Sequence, residues 1–309
     1  MPVGRLHRWF SFAGLDPFPL RETLRNYSWT KAGRDARAAV NVALLDFPQG
    51  MAYALIAGLP VQIGIFCSSL ASITGPLFAS SRFVMLGPTN ATAVLLLSTF
   101  LTLGLTPAES VAALPLLLFM IGSFMILGAL FRVAAITQYI SRSVVVGYIS
   151  AAAFLIIVNQ MKTVFGLDVP RAGTFAQSLV NFARGLPATQ WEALSVGLGT
   201  IAVFYLLKRF FRSVPTVAAT LIVVSVAVWL ARTSGFEVEM LASIRAADWP
   251  LTFPDFDWRM VNDLANAALA ITFLSLLESS SIAKTLAAQA GDRIDLNQQM
   301  LSMGVANYA

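Results

Sequence analysis

Residues 46–60 read D-F-P-Q-G-M-A-Y-A-L-I-A-G-L-P, and after a second apolar stretch residues 87–92 read G-P-T-N-A-T. Both motifs put helix breakers and hydrogen-bonding side chains at runs of membrane-spanning length. An unpaired polar group costs several kcal/mol in hydrocarbon. Irregular backbone is tolerated there where it lines a cavity or is buried in protein. The pattern therefore predicts a membrane protein with an internal polar path, as in a transporter.

The composition is that of a membrane protein rather than of a soluble domain. The 309 residues are 57% hydrophobic and 12% charged, with a mean hydropathy of +0.72. One cysteine (Cys67) and one histidine (His7) leave no basis for a disulfide, a cysteine cluster or histidine-based zinc chemistry. No nucleophile–base pair or phosphate loop is visible, so we expect neither an enzyme nor a cofactor or metal. The basic residues are scattered among loops, which argues against a nucleic-acid partner.

Hydropathy predicts an all-α polytopic membrane protein with about eight spans and the start of a ninth. The expected spans lie near 38–57, 61–80, 90–104, 108–131, 142–161, 191–207, 215–231 and 263–288, with the ninth beginning around 298. Residues 1–33 mix aromatic residues with arginines and contain no long apolar run. They are expected to form a cytoplasmic tail or an interfacial helix.

The placement of lysine and arginine predicts the orientation. Seven basic residues precede residue 38, so the N-terminus should face the cytoplasm. Alternation of the spans then puts Arg82, Arg132 and Lys208 on the same inner side. It puts the 233–261 connection, which is acidic on balance, outside. We therefore expect a multi-pass protein of the cytoplasmic (inner) membrane, with the lipid bilayer as a partner.

The third expected span is too short to cross a bilayer. Residues 90–104 give a helix of about 22 Å, against a hydrocarbon core of about 30 Å. It follows Gly87-Pro88, and Thr89 or Asn90 would serve as its N-cap. A half-helix that begins deep in the membrane points its free N–H groups and positive dipole end at the midplane, which is an anion site. The alternative is a tilted full span that begins earlier.

Three polar residues, Asp46, Gln49 and Tyr53, lie on one face of the first span because of their i, i+3, i+7 spacing. Pro48 removes a backbone donor beside that face. Gln49 and Tyr53 are predicted to line a cavity. The alternative is a polar stripe whose hydrogen bonds are satisfied between packed helices. Asp46 could equally pair with a basic residue near the inner interface.

A carboxylate, Glu278, lies well inside the eighth span, with Ser275, Ser281 and Thr285 on the same face. Ionisable groups inside a membrane are costly and often serve function. Glu278 is therefore a candidate coupling or gating residue that loads and releases a proton. The alternative is a carboxylate held permanently in a salt bridge or a hydrogen-bond cluster.

These motifs resemble the SulP (sulfate permease-like) family of anion transporters. The similarity comprises F-P-Q-G-M-A-Y-A-L-I-A-G-L-P at 47–60, S-S-R-F-V-M-L-G-P-T at 80–89, S-L-L-E-S at 275–279 and N-Q-Q-M-L-S-M-G-V-A-N at 297–307. The resemblance implies a fold of two inverted seven-helix repeats with a core and a gate. Residues 34–139 would be the first half of the core, 140–232 the first half of the gate, 233–261 the extracytoplasmic connection and 262–309 the start of the second repeat.

The resemblance also implies roles for residues. Gln49 and Tyr53 would line the anion site, Thr89, Asn90 and Ala91 would supply backbone N–H groups, and Glu278 would be the acid of helix eight. Asp46 departs from the small or apolar residue expected beside Pro-Gln-Gly, and Ile282 has no hydroxyl for a sodium ion. The coupling ion, H⁺ or Na⁺, is therefore left open.

The resulting hypothesis is secondary active transport of a small anion (sulfate, bicarbonate or a dicarboxylate) by an elevator-like mechanism. A homodimer is common in the family and is left open. The resemblance would also place helix ten, the remaining gate helices and a STAS domain beyond Ala309, so we expect a fragment of a longer protein or a truncated gene product. The alternatives are a nucleobase permease on the same fold and a non-transporting truncated membrane protein.

Overall fold

The computed structural model describes residues 14–25, 27–83, 86–138, 142–169, 175–211, 215–233, 253–292 and 294–308, and these are helical without any strand. The helices are α1 (Leu20–Arg25), α2 (Trp29–Ala57), α3 (Val61–Phe78), α4 (Asn90–Thr102), α5 (Pro107–Leu130), α6 (Arg142–Val164), α7 (Phe175–Gly185), α8 (Trp191–Phe210), α9 (Thr216–Arg232), α10 (Trp258–Ala290) and α11 (Leu296–Ala306). The all-helical membrane fold expected from the sequence is confirmed. Most of the expected 233–261 connection, and the tail before residue 14, lie outside the described residues.

Five of the described helices are long and apolar enough to cross a membrane: α2, α3, α5, α8 and α10. The apolar helices α4 and α9 are shorter. Each expected span coincides with a helix, but the first and last residues of the helices differ from those of the expected spans. Helix α2 begins at Trp29, nine residues before the expected span, because its first turns carry charged residues that lie outside the apolar window.

The chain divides into two compact units. The first comprises the N-terminal residues up to Ala32 together with Gly50–Ser150 and Trp249–Ala309, and the second comprises Gly33–Gln49 and Ala151–Asp248. The division falls within α2, at Gln49. The core and gate limits expected from the sequence (34–139 and 140–232) stay a prediction.

In the first unit, α11 packs against α3 and α5, and α10 packs against α4 and α5. The centre of this packing is apolar, and the side chains of Leu117, Met125 and Leu264 have at most 1% of their surface exposed. Close approach of α5 and α11 depends on small residues, since a Cβ added to Gly304 would lie 3.1 Å from the carbonyl oxygen of Gly122. Small residues at such contacts are typical of helix packing in membranes.

A second close crossing joins α2 to α3 at Gly50 and Gly64. A Cβ built on Gly64 would lie 2.0 Å from the Gly50 carbonyl oxygen, and one built on Gly50 would lie 2.7 Å from Ser68 Oγ. Neither position can therefore hold a larger residue without movement of a backbone. The crossing fixes the segment of α2 that leads from Gly50 to Tyr53.

In the second unit, α8 and α9 pack against each other. The 11-residue helix α7 lies between α6 and α8 in the sequence. The sequence analysis did not predict α7, because it is too short and too polar to register as a membrane span. Of the site residues predicted from the sequence, Asp46 and Gln49 belong to this unit.

Candidate functional site: the N-terminus of α4 and Glu278

The N-terminus of α4 is formed by a reciprocal cap. Thr89 is extended (φ −121°, ψ 160°) and its hydroxyl accepts a hydrogen bond from the Thr92 N–H over 3.3 Å. In return, the Thr92 hydroxyl oxygen accepts one from the Thr89 N–H over 3.1 Å. The preceding Gly87 has φ 134°, in the region that favours glycine, and Pro88 cannot continue a helix backwards. The prediction that the helix begins after Thr89 is confirmed.

The length of α4 agrees with the predicted half-helix. Its 13 residues span about 20 Å, well short of a hydrocarbon core of about 30 Å. The N–H groups of Asn90 and Ala91 lie in the first turn, where no carbonyl of the same helix can reach them. Ala91 is buried and Asn90 is half-buried. The first turn therefore presents donors and the positive end of the helix dipole inside the protein.

Glu278 meets this turn from α10. The Thr89 hydroxyl donates a hydrogen bond to Glu278 Oε2 over 2.9 Å. The two residues are 189 positions apart, and packing of α10 against α4 brings them together. Glu278 is half-buried. The cap hydroxyl thus accepts from the helix and donates to the carboxylate, so the carboxylate is tied to the positive end of α4.

Two buried polar residues of α11, Gln299 and Ser302, form hydrogen bonds to α10 and α3, and those of Gln299 reach the residue next to Glu278. The fully buried Gln299, on α11, donates hydrogen bonds from Nε2 to both the hydroxyl and the carbonyl oxygen of Ser279, the residue after Glu278. Ser302, one turn further on, donates to the Gly75 carbonyl oxygen over 2.7 Å. These bonds fix α11 to α10 and α3. The sequence analysis missed them, although the polar run N-Q-Q at the start of an apolar helix is a visible signal.

A second buried amide joins three separate segments. Gln298 Nε2 donates to the carbonyl oxygens of Asp16 (2.8 Å) and Phe78 (2.6 Å), and Gln298 Oε1 accepts from the Asp16 N–H over 2.9 Å. The side chain satisfies both polar groups of the Asp16 backbone. It therefore ties the segment before α1 to the end of α3 and the start of α11.

An exposed ion pair links the segments that flank the site. The Arg82 guanidinium, seven residues before Thr89, donates two hydrogen bonds to Asp292 Oδ2, just after the end of α10. Arg82 also lies 5.2 Å from the centre of the Phe83 ring. Exposed pairs contribute about 0–1 kcal/mol, so this contact orients the loop more than it stabilises the fold.

The other predicted site residues fall in two groups. Tyr53 is half-buried and packs against the hydrophobic core of the first unit. Asp46 is half-buried and Gln49 is exposed, and both lie in the part of α2 that belongs to the second unit. The structure thus joins Thr89 and Glu278 directly. The roles of all the predicted site residues stay predictions: Asp46, Gln49, Tyr53, Thr89, Asn90, Ala91 and Glu278. Within the described residues, no group of three or more His, Cys, Asp or Glu could hold a metal ion.

Comparison with known proteins identifies relatives across the chain. The sequence profile of the sulfate permease family matches residues 34–309. The chain is 27% identical over 305 residues to sulfate transporter 4.1, chloroplastic, of Arabidopsis thaliana, covering 94% of this chain and 43% of that protein. It is 28% identical over 341 residues to the sodium-independent sulfate anion transporter of Bos taurus, covering 98% and 53%. The chain thus spans about half the length of the curated relatives it matches.

A solved structure shares the fold. The murine solute carrier 26 family member A9 anion transporter, in its inward-facing state, superposes with a TM-score of 0.81 at 20% identity, covering 94% of this chain and 52% of that one. The chain therefore shares the fold of that protein. The resemblance predicted from the four sequence motifs is confirmed.

Proposed function

Because the chain belongs to the sulfate permease family, we propose that the protein is a secondary active transporter of a small anion, with sulfate, bicarbonate and small dicarboxylates as the candidate substrates. The sulfate transporters among its relatives support sulfate first. The protein is embedded in the membrane through several apolar helices. We place it in the cytoplasmic membrane with the N-terminus inside, as the distribution of basic residues predicts.

The observation that carries the proposal is the capped first turn of α4 beside Glu278. The anion binds to the N–H groups of Asn90 and Ala91 at the positive end of the helix dipole. Backbone N–H groups in a water-poor site can donate hydrogen bonds to any small oxyanion. They therefore explain why the substrate is an anion, but they do not select one anion over another. Tyr53 contributes an aromatic wall from α2.

Glu278 is the proposed coupling residue. A carboxylate hydrogen-bonded to the Thr89 cap competes with a transported anion for the same positive helix end. Protonation of Glu278 removes that competing charge, so a proton and an anion bind favourably together. A sodium ion beside Glu278 would offset the same charge, and the two couplings differ in their dependence on pH and on sodium.

The transport step is proposed to be an elevator-like movement. The site is built from α4 and α10, which pack against each other, and α10 also packs on α5 in the same compact unit. Such a unit can move as a rigid body together with its bound anion, and the capped first turn of α4 stays folded. Whether two copies pair is answered by the oligomeric state of the purified protein and is independent of this step.

An isosteric change at the site tests the proposal. Asn90→Asp adds a negative charge at the first helical residue, where an acid is compatible with the helix dipole. At an effective dielectric constant of 20, a charge at about 5 Å is worth about 3 kcal/mol, so we expect KM for sulfate to rise by at least about tenfold. The assay is uptake of labelled sulfate by proteoliposomes containing the full-length protein.

The matched control is Asn262→Asp, the same change at an exposed position near the start of α10. It should leave KM unchanged. Competition assays with bicarbonate, a small dicarboxylate and uracil identify the substrate class. Uptake that uracil inhibits and anions do not, or an equal effect of the two substitutions, would overturn the anion-site proposal.

A further inference from the structure

Helix α7 (Phe175–Gly185) has one apolar face, which Phe175, Leu179 and Phe182 form by their i, i+4, i+7 spacing. At one edge of this face, Ser178 and Phe182 are buried within the second unit. Phe175 and Leu179, one turn apart, are 44% and 46% exposed. Arg184 lies about 140° around the helix from Leu179, at 100° per residue, and is also exposed. The helix therefore keeps a partly exposed apolar stripe, formed by Phe175 and Leu179, and a basic residue on the far side.

The contacts of α7 hold it at the ends of two apolar helices. The Phe182 ring meets the Phe165 ring edge to face, with centroids 5.4 Å apart, and Phe165 directly follows the last residue of α6. The Gln190 N–H, just before α8, donates to the Phe165 carbonyl oxygen over 3.0 Å. A Cβ on Gly185 would lie 2.8 Å from Val169. Helix α7 thus lies where one apolar helix ends and the next begins.

The helix that follows α7 has an exposed apolar surface. None of the residues of α8 is buried, and α8 is apolar and long enough to cross a membrane. Its first residue, Trp191, is 75% exposed, and tryptophan is enriched where membrane meets water. The exposed apolar surface of α8 therefore begins beside α7.

We propose that α7 lies in the membrane–water interface, with Phe175 and Leu179 inserted among the lipid chains and Arg184 at the headgroups. The occupant of the apolar stripe is lipid rather than a protein partner, because the contacts of Phe165 with Phe182 and Gln190 place α7 beside the start of α8, an exposed apolar helix long enough to cross a membrane. A short helix with apolar residues on one side and a basic residue on the other is typical of interfacial segments. Anchored in this way, α7 holds the second unit at a fixed depth in the bilayer.

Collision measurements on spin labels test the proposal. Cys67 is the sole cysteine of the chain, so Cys67→Ser gives a background into which Leu179→Cys or Arg184→Cys is introduced and labelled with a nitroxide. Molecular oxygen concentrates in lipid, whereas a water-soluble nickel chelate stays outside it. In liposomes we expect the label at 179 to collide mainly with oxygen and the label at 184 mainly with the chelate, a reversal of the ratio between matched sites.

Two outcomes would overturn the proposal. Access of the chelate to both labels would place α7 in water. Protection of the label at 179 from both oxygen and the chelate would place protein, such as a second copy of this chain, on the stripe. Phe175→Cys places a label on the same stripe. The proposal can therefore still be tested if the Leu179→Cys variant does not fold.

Discussion

The Thr89 hydroxyl and the Glu278 carboxylate lie 2.9 Å apart and are hydrogen-bonded, so the N-cap residue of α4 also holds the one acidic group in the middle of α10. This single side chain has two tasks. It caps a helix that is too short to span the membrane, and it positions a carboxylate at the positive end of that helix. Both tasks need a hydroxyl, and neither needs the methyl group of threonine.

Replacement of Thr89 by valine separates the contribution of the side chain's shape from that of its hydrogen bonds. Thr89→Val keeps the volume and removes both the cap and the bond to Glu278. Loss of an N-cap costs about 1 kcal/mol, so we expect a lower Tm in detergent and a strong loss of sulfate uptake. Thr89→Ser keeps the hydroxyl and should retain most of both. Retained uptake in the valine variant together with loss in the serine variant would mean that the methyl group, not the hydrogen bond, is what the site requires.

Replacement of Glu278 tests the coupling proton. Glu278→Gln keeps an oxygen that can accept from Thr89 but has no titratable proton, so we expect uptake to lose most of its dependence on pH. The measurement is initial uptake rate across a pH series in proteoliposomes. The control is Glu109→Gln, which alters an exposed carboxylate in the cap of α5 and should leave the pH profile intact. An unchanged profile in Glu278→Gln would remove Glu278 from proton coupling.

Local sequence predicted the elements but could not predict the contacts between them. Gly87, Pro88 and Thr89 act on their own backbone, so the start of α4 could be inferred from those residues alone. The Thr89–Glu278 bond joins positions 189 apart, and nothing local pairs them. Helix α7 was missed for a different reason, because its polar residues hide an apolar stripe of only one or two turns from a span-length window. Likewise, hydropathy finds the apolar part of α2 but not its charged first turns.

The Gly50–Gly64 crossing predicts different effects of the same substitution within one helix. Gly50→Ala places a methyl group 2.7 Å from Ser68 Oγ and 2.8 Å from the Gly64 carbonyl oxygen. Overpacking of this kind costs about 1–3 kcal/mol, so Tm should fall. Because Tyr53 lies three residues further on, sulfate uptake should fall as well.

The matched control for this crossing is Gly33→Ala, also in α2, where an added Cβ meets nothing within 4 Å. Alanine is favoured over glycine in a helix by about 1 kcal/mol, so Gly33→Ala should leave Tm unchanged or raise it. A thermal-unfolding series in one detergent compares the two variants. A stable Gly50→Ala protein would show that α2 and α3 can separate at this point without loss.

The buried Gln298 amide predicts a large effect far from the anion site. Gln298→Leu keeps the approximate size of the side chain but leaves the Asp16 N–H and two carbonyl oxygens without their partner. Each buried polar group that loses its hydrogen bond costs about 1–3 kcal/mol, so we expect a clear fall in Tm and faster proteolysis of the segment before α1. Gln289→Leu, at an exposed position in the last turn of α10, is the matched control and should change neither. If both substitutions left Tm and proteolysis unchanged, the segment around Asp16 would be held by contacts other than Gln298.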